Sequence, residues 1–419
     1  MSREIKTSVE GLRVGMFVSR LDRPWIGTPF ELEGFSILDR ADIQRLSQHC
    51  NYVYVDPLLG PSPEPGYWIG DEDLPPPPPQ PKPSAASDEF LALRITQYDD
   101  TQSLEAEIDT ASKVSQQLSN TYDGLVADLQ QNRDIDLQQV RAGICDMVDS
   151  VLRNPSAMMW MVELKRTDDY SYSRALGSSV WCATFGRHLG LEPAAVNQLA
   201  LGGLLLDIGK TRLPPELLTK RKPLSAKERH LVHRHVNLGV RLLALEGQKQ
   251  PEQGVDMQVL QMIATHHERA DGSGYPQGLS NEQIPIFGRI AGLVDSFDAI
   301  TSLRPYVQGG PRSAHEAISE LYSLRDSRFQ AELVEQFIQA VGLYPTGSLV
   351  ELSSGEVGAV VAVNGLRRLR PKLMMILDSN KQPYPEFHYL DLASESRDLR
   401  ISRGLPPGAY GIDMHEFFL

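Results

Sequence analysis

The sequence has few cysteines, no long apolar run and fewer basic than acidic residues, and each shortage excludes a class of protein. Its three cysteines, Cys50, Cys145 and Cys182, are scattered and lack CxxC spacing, which argues against a disulfide framework or a thiolate zinc knuckle. No stretch approaches the ~18 apolar residues of a membrane span, and the N-terminal segment lacks the apolar core of a signal peptide. With 41 basic against 54 acidic residues, the formal net charge is −13, so no surface for nucleic acid is expected. We therefore expect a cytoplasmic protein without a membrane span.

The length of the sequence and its patterns of apolar residues predict a multidomain α+β protein. The 419 residues, 41% of them hydrophobic, are enough for several globular domains. Helical spacing dominates the middle of the chain, and alternating patterns of apolar residues predict short strands near both ends. The expected segments are a small α+β module at 1–60, a proline-rich linker at 61–100, a helical stalk at 101–155, a helical core at 156–342 and a small β-element at 343–419. In the β-element we expect three strands, with a basic loop that carries Arg367, Arg368 and Arg370.

Two segments leave alternatives open. The prolines of the linker favour a semi-rigid spacer, with a ligand for proline-binding modules as the alternative. In the stalk, apolar residues between 104 and 129 recur at alternating spacings of four and three. That pattern is typical of a coiled coil, which would join two copies of the chain, and it is equally consistent with a helix that packs onto the following domain.

The helical core contains a scattered set of carboxylates and imidazoles. Its members come from different predicted helices or helix ends, as is typical of a metal site inside a helical bundle. Such ligands suit iron, manganese, zinc or nickel. The set is Asp207, His235, His266, His267 and Asp295.

The adjacent histidines precede a segment with a distinctive pattern, HHERADGSGYP. Adjacent histidines alone are more often structural than metal-binding. Here, Gly272, Gly274 and Pro276 predict a tight turn directly after them, and Asp271 can accept a hydrogen bond from the backbone of that turn. A rigid loop beside two histidines is the kind of support that metal ligands require.

Together with LLLDIGK, HVNLG and VDSFDAITSLRPY, this segment resembles the HD-GYP family of HD phosphohydrolases. The resemblance spans residues 156–342, and the first module resembles a small domain of unknown function that is often fused to HD-GYP domains. It implies a bacterial signalling protein with an all-helical core that hydrolyses cyclic di-GMP to pGpG or GMP with two or three bound metals.

Residue by residue, the resemblance implies only part of that metal site. The ligands expected for one metal are Asp207, His235, His266 and His267, and Asp295 matches a ligand of the other metal. Two histidines of the family's second site are replaced here by Leu206 and Arg174, and an acidic residue that serves a third metal corresponds to Tyr170. We therefore expect one divalent metal, iron or manganese before zinc or nickel. We also expect Arg174 to occupy the second site and to contact Asp207 or Asp295.

The resemblance also implies where substrate binds. Asp207 and Lys210 are the expected catalytic residues, and Lys210 and Arg304 are expected to contact phosphate; the basic residue that often follows is Val307 here. The pocket would be lined by Gly274, Tyr275 and Pro276.

Three functions remain open on these grounds. The first is a cyclic di-GMP phosphodiesterase with a degenerate metal site. The second is an inactive domain that binds cyclic di-GMP or a partner such as a diguanylate cyclase. The third, a scaffold that binds no nucleotide, is disfavoured because burying unpaired polar groups costs stability.

Overall fold

The structure is a computed structural model that describes most of the chain. Several sequence predictions fall outside the described residues, namely those on the prolines at 75–83, on Arg304 and Val307, and on the side chain of Tyr170. Arg367 and Arg368 of the predicted basic loop also lie outside. The described residues are 5–22, 35–57, 60–69, 96, 98–164, 170–220 (without the side chains of 170–173), 222–251, 254–302, 310–363, 369–395 and 399–414.

The N-terminal module is an antiparallel sheet with one helix. Its strands are β1 (Ile5–Ser8), β2 (Phe17–Leu21), β3 (Phe35–Ser36) and β4 (Tyr52–Val55), in the order β1-β4-β2-β3, and its helix is α1 (Arg40–His49). The side chain of Asp39 accepts a hydrogen bond from the backbone of Asp42 and so starts α1. Met16, Val18 and Val53 form part of a small core under α1. The short strands that alternating apolar residues predict near this end of the chain are present, and the module combines them with a helix, as expected of an α+β module.

The first residues of the proline-rich segment contact this module. Trp68 forms a β-bridge with Thr7, and the ring of Tyr67 lies so close to Gly11 that a Cβ at Gly11 would overlap it. The described stretch 60–69 therefore packs on the sheet.

The described part of the chain from residue 104 to residue 341 consists of helices joined by turns and loops. Side-chain caps begin several of them: Ser103 caps the first and Asp136 the second. The helices are α2 (Leu104–Gln130), α3 (Leu137–Arg153), α4 (Pro155–Leu164), α5 (Tyr170–His188), α6 (Pro193–Leu205), α7 (Pro215–Leu218), α8 (Ala226–His233), α9 (His235–Lys249), α10 (Met257–Thr265), α11 (Ile286–Thr301), α12 (Ala314–Ser323) and α13 (Ala331–Val341). Among the described residues, no helix is long and apolar enough to cross a bilayer.

The apolar seam of α2 packs within the chain. Leu118, Leu125 and Leu129 are buried in the same core as α3 and α4. Arg153 at the end of α3 donates two hydrogen bonds, of 2.9 and 2.8 Å, to the buried carboxylate of Glu107. Of the two alternatives for this helix, the structure has the one in which it packs onto the neighbouring helices. The seam is therefore covered and is not free to form a coiled coil between two copies.

Close helix packing builds the centre of the bundle. Helices α5 and α6 pack tightly against each other. A Cβ at Gly203 on α6 would lie 2.8 Å from the carbonyl oxygen of Ser178 and 2.9 Å from the Cα of Ser179. The rings of Trp181 and Phe337 meet Phe297 of α11 edge to face, at centroid distances of 5.3 Å in both pairs.

The C-terminal β-element has five strands, whereas the alternating pattern predicted three. They are β5 (Leu349–Leu352), β6 (Val357–Ala362), β7 (Lys372–Leu377), β8 (Pro383–Asp391) and β9 (Ile401–Leu405), in the antiparallel order β8-β7-β6-β5-β9. One face of the central strands packs on the helical core, and the other covers a second small core. The strands that the pattern missed, β8 and β9, are the exposed edges, where burial does not impose an alternation of apolar residues.

We expect Gly203→Ala to lower the free energy of unfolding by about 1–3 kcal/mol, because the new methyl group meets backbone atoms of α5. Gly124→Ala is the matched control, since Gly124 is exposed on α2 and a Cβ there meets nothing within 4 Å. It should raise stability by about 0.5–1 kcal/mol through helix propensity. Urea unfolding followed by circular dichroism measures both values. Equal effects of the two substitutions would contradict the close packing of α5 and α6.

A second stability prediction concerns Glu351 on β5. Its carboxylate accepts hydrogen bonds from Lys381 at 2.7 Å, from Arg403 at 2.6 and 2.8 Å and from Tyr410 at 3.1 Å. The hydrogen bond from Lys381, followed by those from Arg403 and Tyr410, lowers the pKa of Glu351 to about 2. The folded state therefore binds this proton more weakly than the unfolded state, and the resulting stabilisation is present above about pH 5 and disappears as the pH falls towards about 2.

Glu351→Gln should consequently lower the free energy of unfolding by about 1 kcal/mol at pH 7. The difference from the wild type should shrink as the pH falls from about 5 to about 2. Urea unfolding across that pH range measures it. Glu386→Gln, at an exposed position on β8, is the control and should change stability little at any pH. A cost of Glu351→Gln that does not vary with pH would show that the carboxylate charge contributes nothing.

Candidate active site

Four predicted metal ligands converge between the ends of helices. Asp207 follows α6 and caps a 3₁₀ turn at Ile208–Arg212, His235 is the first residue of α9, and His266 and His267 follow α10 directly. One ligand atom from each of the four lies within 4.8 Å of the others. The structure thus brings together the four residues that the sequence assigned to one metal.

The orientation of two imidazoles is set by the backbone. The Nδ1 atoms of His235 and His266 each lie 2.7 Å from a carbonyl oxygen, that of Val232 and that of Ile263. A carbonyl oxygen only accepts, so Nδ1 carries the proton in both rings and Nε2 presents a lone pair. Burial also lowers the pKa of His266 to about 4, so that ring is neutral at physiological pH.

The lone pairs of this cluster face one another without donors between them. Nε2 of His235, Nε2 of His266 and Oδ1 of Asp207 are buried, and none has a hydrogen-bond partner among the described residues. Nε2 of His235 lies 3.2 Å from Oδ1 of Asp207, although both atoms are acceptors. Buried acceptors in such contact are stabilised by a cation, and imidazole and carboxylate groups are ligands of divalent transition metals. The residues therefore fit one metal ion.

Three glycines allow the close approach that builds this cluster. A Cβ at Gly209 would overlap the carbonyl oxygen of His235, and Gly239 lies against the backbone of Gly209 from the facing helix. A Cβ at Gly292 would lie 2.8 Å from the carbonyl oxygen of His266. Any side chain at these positions would push the histidines and Asp207 apart.

Arg174 of α5 lies beside the four ligands. The residue is 8% exposed, its guanidinium contacts Asp295 at 2.5 Å and Asp298 at 3.1 Å, and its Nη1 lies 3.9 Å from Asp207. The predicted contact with Asp295 is confirmed. Asp295 itself is not one of the four converging ligands, although its second oxygen lies 3.6 Å from Nδ1 of His267.

The role of Asp298 was missed from the sequence. Asp298 lies three residues after Asp295, and that spacing places both carboxylates on one face of α11. This signal was available in the sequence, but nothing in it showed that Arg174 of another helix would lie opposite.

Lys210 adds a second positive charge next to the ligands. Its Nζ donates a hydrogen bond of 2.6 Å to Oδ2 of Asp207. Burial by itself raises the pKa of Asp207, but the positive charge of Lys210, with that of Arg174, outweighs it and holds this pKa well below the ordinary value. Asp207 is therefore ionised and keeps its other oxygen for a metal ion.

The turn after the histidines is held by a buried carboxylate that sequence reasoning did not select. Glu268 accepts hydrogen bonds from the backbone of Gln277 at 2.7 Å and of Leu279 at 3.0 Å. The predicted bond from the turn backbone to Asp271 is present, at 2.9 Å from the nitrogen of Ser273. A Cβ at Gly274 would overlap the Cα of Glu268, so only glycine fits there.

Tyr275 lies at the edge of the cluster. Its ring stacks on that of His233, with centroids 3.7 Å apart and planes 3° apart, and lies 4.6 Å from the ring of His267. Burial raises the pKa of the Tyr275 hydroxyl, so the phenol stays protonated. Pro276 follows it within the same turn.

A cavity of about 620 Å³ opens beside the cluster. Arg174, Asp207 and Lys210 line one part of it, and residues of α2, α7, α8 and the segments around α7 line the rest. Gly274, Tyr275 and Pro276, which were expected to line the substrate pocket, are not among the residues that line this cavity, because their turn packs against His233, His267 and Glu268 instead. The predicted phosphate ligand Arg304 lies outside the described residues, so its position relative to this cavity stays a prediction.

Comparison with known proteins agrees with this architecture. The family profile described as "HD domain" matches residues 156–333, that of a domain of unknown function, DUF3391, matches residues 4–140, and that of a "KOW domain associated with HD domain" matches residues 349–407.

Similar proteins are named as phosphodiesterases of cyclic dinucleotides. The cyclic di-GMP phosphodiesterase PA4108 of Pseudomonas aeruginosa is 33% identical over 94% of this chain and 90% of its own length. A cyclic di-GMP phosphodiesterase of Thermotoga maritima is 36% identical over 36% of this chain and 39% of its own. A 3'3'-cGAMP-specific phosphodiesterase of Vibrio cholerae is 33% identical over 38% of this chain and 30% of its own.

The similarity to PA4108 runs through the N-terminal module, the helical core and most of the C-terminal sheet, and the helical core carries the HHE and GYP residues around one cluster of ligands. The chain therefore belongs to the HD-GYP family, as a member with an N-terminal DUF3391 domain.

Proposed function

We propose that this protein is a phosphodiesterase that hydrolyses cyclic di-GMP to pGpG or GMP with one bound divalent metal. The observation that carries the proposal is the set of buried acceptors at His235, His266 and Asp207, which face one another beside a cavity that also contains Arg174 and Lys210. The substrate is inferred from the relative that is similar over nearly the whole chain.

The ligands of that metal would be Asp207, His235, His266 and His267, with iron or manganese favoured over zinc or nickel. A divalent ion bound there would lower the pKa of a bound water to about 7 and withdraw charge from a phosphoryl oxygen. Lys210, whose ammonium lies at the cavity, binds a phosphate oxygen and orients the phosphodiester. Arg174 places a fixed positive charge at the same wall.

A second ion does not fit the residues present. Arg174 occupies the space between Asp295, Asp298 and Asp207, and a guanidinium stays protonated and has no lone pair to offer. Leu206, which is buried next to Asp207, also offers no ligand atom. We infer that Arg174 replaces the charge of a second metal, so that the site is degenerate relative to the two-metal or three-metal sites of the family.

The specific observation of Arg174 in that space also favours a second candidate function. In it, the domain binds cyclic di-GMP without hydrolysing it and acts as a receptor, for example towards a diguanylate cyclase. A cytoplasmic location belongs to both proposals, because cyclic di-GMP is a second messenger. A homodimer through residues 104–129 would have to use the polar face of α2, since the apolar face is covered.

Turnover of cyclic di-GMP by the purified chain, loaded anaerobically with Fe(II) or Mn(II), decides between the two functions. We expect linear product from the wild type and its loss, by about 100-fold or more, in the His266→Ala/His267→Ala double variant. His388→Ala, an exposed histidine on β8, is the control and should leave turnover unchanged. Binding of cyclic di-GMP without product would overturn hydrolysis and support the receptor.

Metal content tests the role of Arg174 separately from turnover. The wild type should hold about one ion per chain, and Arg174→His combined with Leu206→His should hold about two, because both missing imidazoles return. Leu206→His alone is the matched control and should stay at about one, since the guanidinium remains in place. Plasma mass spectrometry of the loaded proteins measures the ratio. An unchanged ratio in the double variant would contradict the proposed replacement of a metal by Arg174.

A further inference from the structure

The cavity beside the ligands has two chemically different parts. Arg174, Asp207 and Lys210 form a charged end, whereas leucines of α7 and of the loop before it form an apolar wall. The volume of about 620 Å³ is that of a pocket for a small organic ligand. A site for a small anion alone would not need the apolar wall.

Part of the wall comes from a helix outside the matched HD domain. Tyr122, Val126 and Gln130 of α2 line the same cavity as Lys210 and Thr211 of the 3₁₀ turn. All three lie before residue 156, where the match to the HD domain begins, and within the match to DUF3391. The pocket is therefore composite.

The position of α2 relative to the charged end is fixed by direct contacts. Arg212, in the same 3₁₀ turn as Lys210, donates a hydrogen bond to the side chain of Asn132, two residues after α2 ends. Tyr122 is buried in the shared core, Val126 is half-buried and Gln130 is exposed at the last residue of the helix. The three residues are thus held at a set distance from Asp207 and Lys210.

A cyclic dinucleotide carries the complementary chemistry. Its phosphodiesters are anionic and suit the end with Arg174 and Lys210, and its bases have apolar faces and polar edges. Val126, together with Leu213 and Leu217, offers an apolar surface to a base face, and the exposed amide of Gln130 offers a donor and an acceptor to a base edge.

We propose that α2 supplies the base-binding wall of the substrate pocket, with Val126 against the face of a base and Gln130 at its edge. This inference rests on the proposed function, because it assumes that the ligand of the pocket is a cyclic dinucleotide. It assigns part of substrate recognition to the N-terminal part of the chain.

Val126→Trp tests the wall by filling it. We expect KM for cyclic di-GMP to rise about tenfold, with kcat unchanged, because binding of the base is lost while the charged end stays intact. Val114→Trp is the matched control: Val114 is also half-buried on α2, does not line the cavity and lies ~18 Å away along the helix. It should leave KM unchanged.

Gln130→Trp covers the case in which Val126→Trp fails to fold, because Gln130 is exposed and its replacement leaves the core intact. It should also raise KM about tenfold, whereas Gln117→Trp, at an exposed position earlier on α2, should not. Hydrolysis of bis(p-nitrophenyl) phosphate should be the same in the two control variants, Val114→Trp and Gln117→Trp, as in the wild type, because neither residue lines the cavity.

The outcomes separate this inference from the proposed function. If the wild type binds cyclic di-GMP in calorimetry but does not hydrolyse it, the proposed hydrolysis fails, and the same tenfold change is expected in Kd for the Val126 and Gln130 variants. If Gln130→Trp folds but changes neither KM nor Kd, the assignment of the base-binding wall to α2 is wrong, while the proposed function stands. If the wild type neither binds nor hydrolyses cyclic di-GMP, both are overturned.

Discussion

The balance of charge around Asp207, Asp295 and Asp298 is the constraint on which the centre of this protein depends. Three carboxylates lie inside a helical bundle, where an unpaired charge would cost several kcal/mol. Arg174 from α5 compensates the two carboxylates of α11, and Lys210 compensates one oxygen of Asp207. The second oxygen of Asp207 remains without a donor, beside two imidazole lone pairs. Among these three described carboxylates, the oxygen left without a donor is therefore the one that lies where a cation would bind.

Arg174 has a structural consequence as well as a chemical one. A divalent metal would hold its ligands only when bound, whereas the guanidinium bonds α5 to α11 permanently. We infer that the half of the site formed by Arg174, Asp295 and Asp298 is assembled in the metal-free protein. Only the half formed by Asp207 and the three histidines would then depend on a bound ion. Hydrogen bonds from Nδ1 of His235 and His266 to the backbone already orient that half.

Backbone proximity is the second requirement of the site. The turn that carries Asp207 and Lys210 touches the start of α9 through Gly209 and Gly239, and contacts α2 through Arg212. A shift of α2 would therefore move the turn that holds Asp207 and Lys210, the proposed metal ligand and the proposed phosphate-binding residue. This arrangement connects the part of the chain before residue 156 with the candidate site through the loop that follows α2.

The sequence by itself determined the elements with a strong period and the ligands with a distinctive spacing. The helices from 104 onwards could be predicted because burial imposes periodicity, and the four converging side chains could be selected because the motifs that contain them resemble those of the HD-GYP family. The exposed strands β8 and β9 could not, since no core constrains their pattern.

Only the tertiary structure decided which distant side chains meet. Asp298 opposite Arg174, Glu268 under the turn, and Val126 and Gln130 at the cavity each depend on how two helices or loops pack, and their residue types carry no signal of the partner. The covered seam of α2 is the same case: its heptad pattern fits a coiled coil and an intramolecular packing equally well. The packing of α3 and α4 against that seam selects the intramolecular arrangement, because it buries the seam within the same chain.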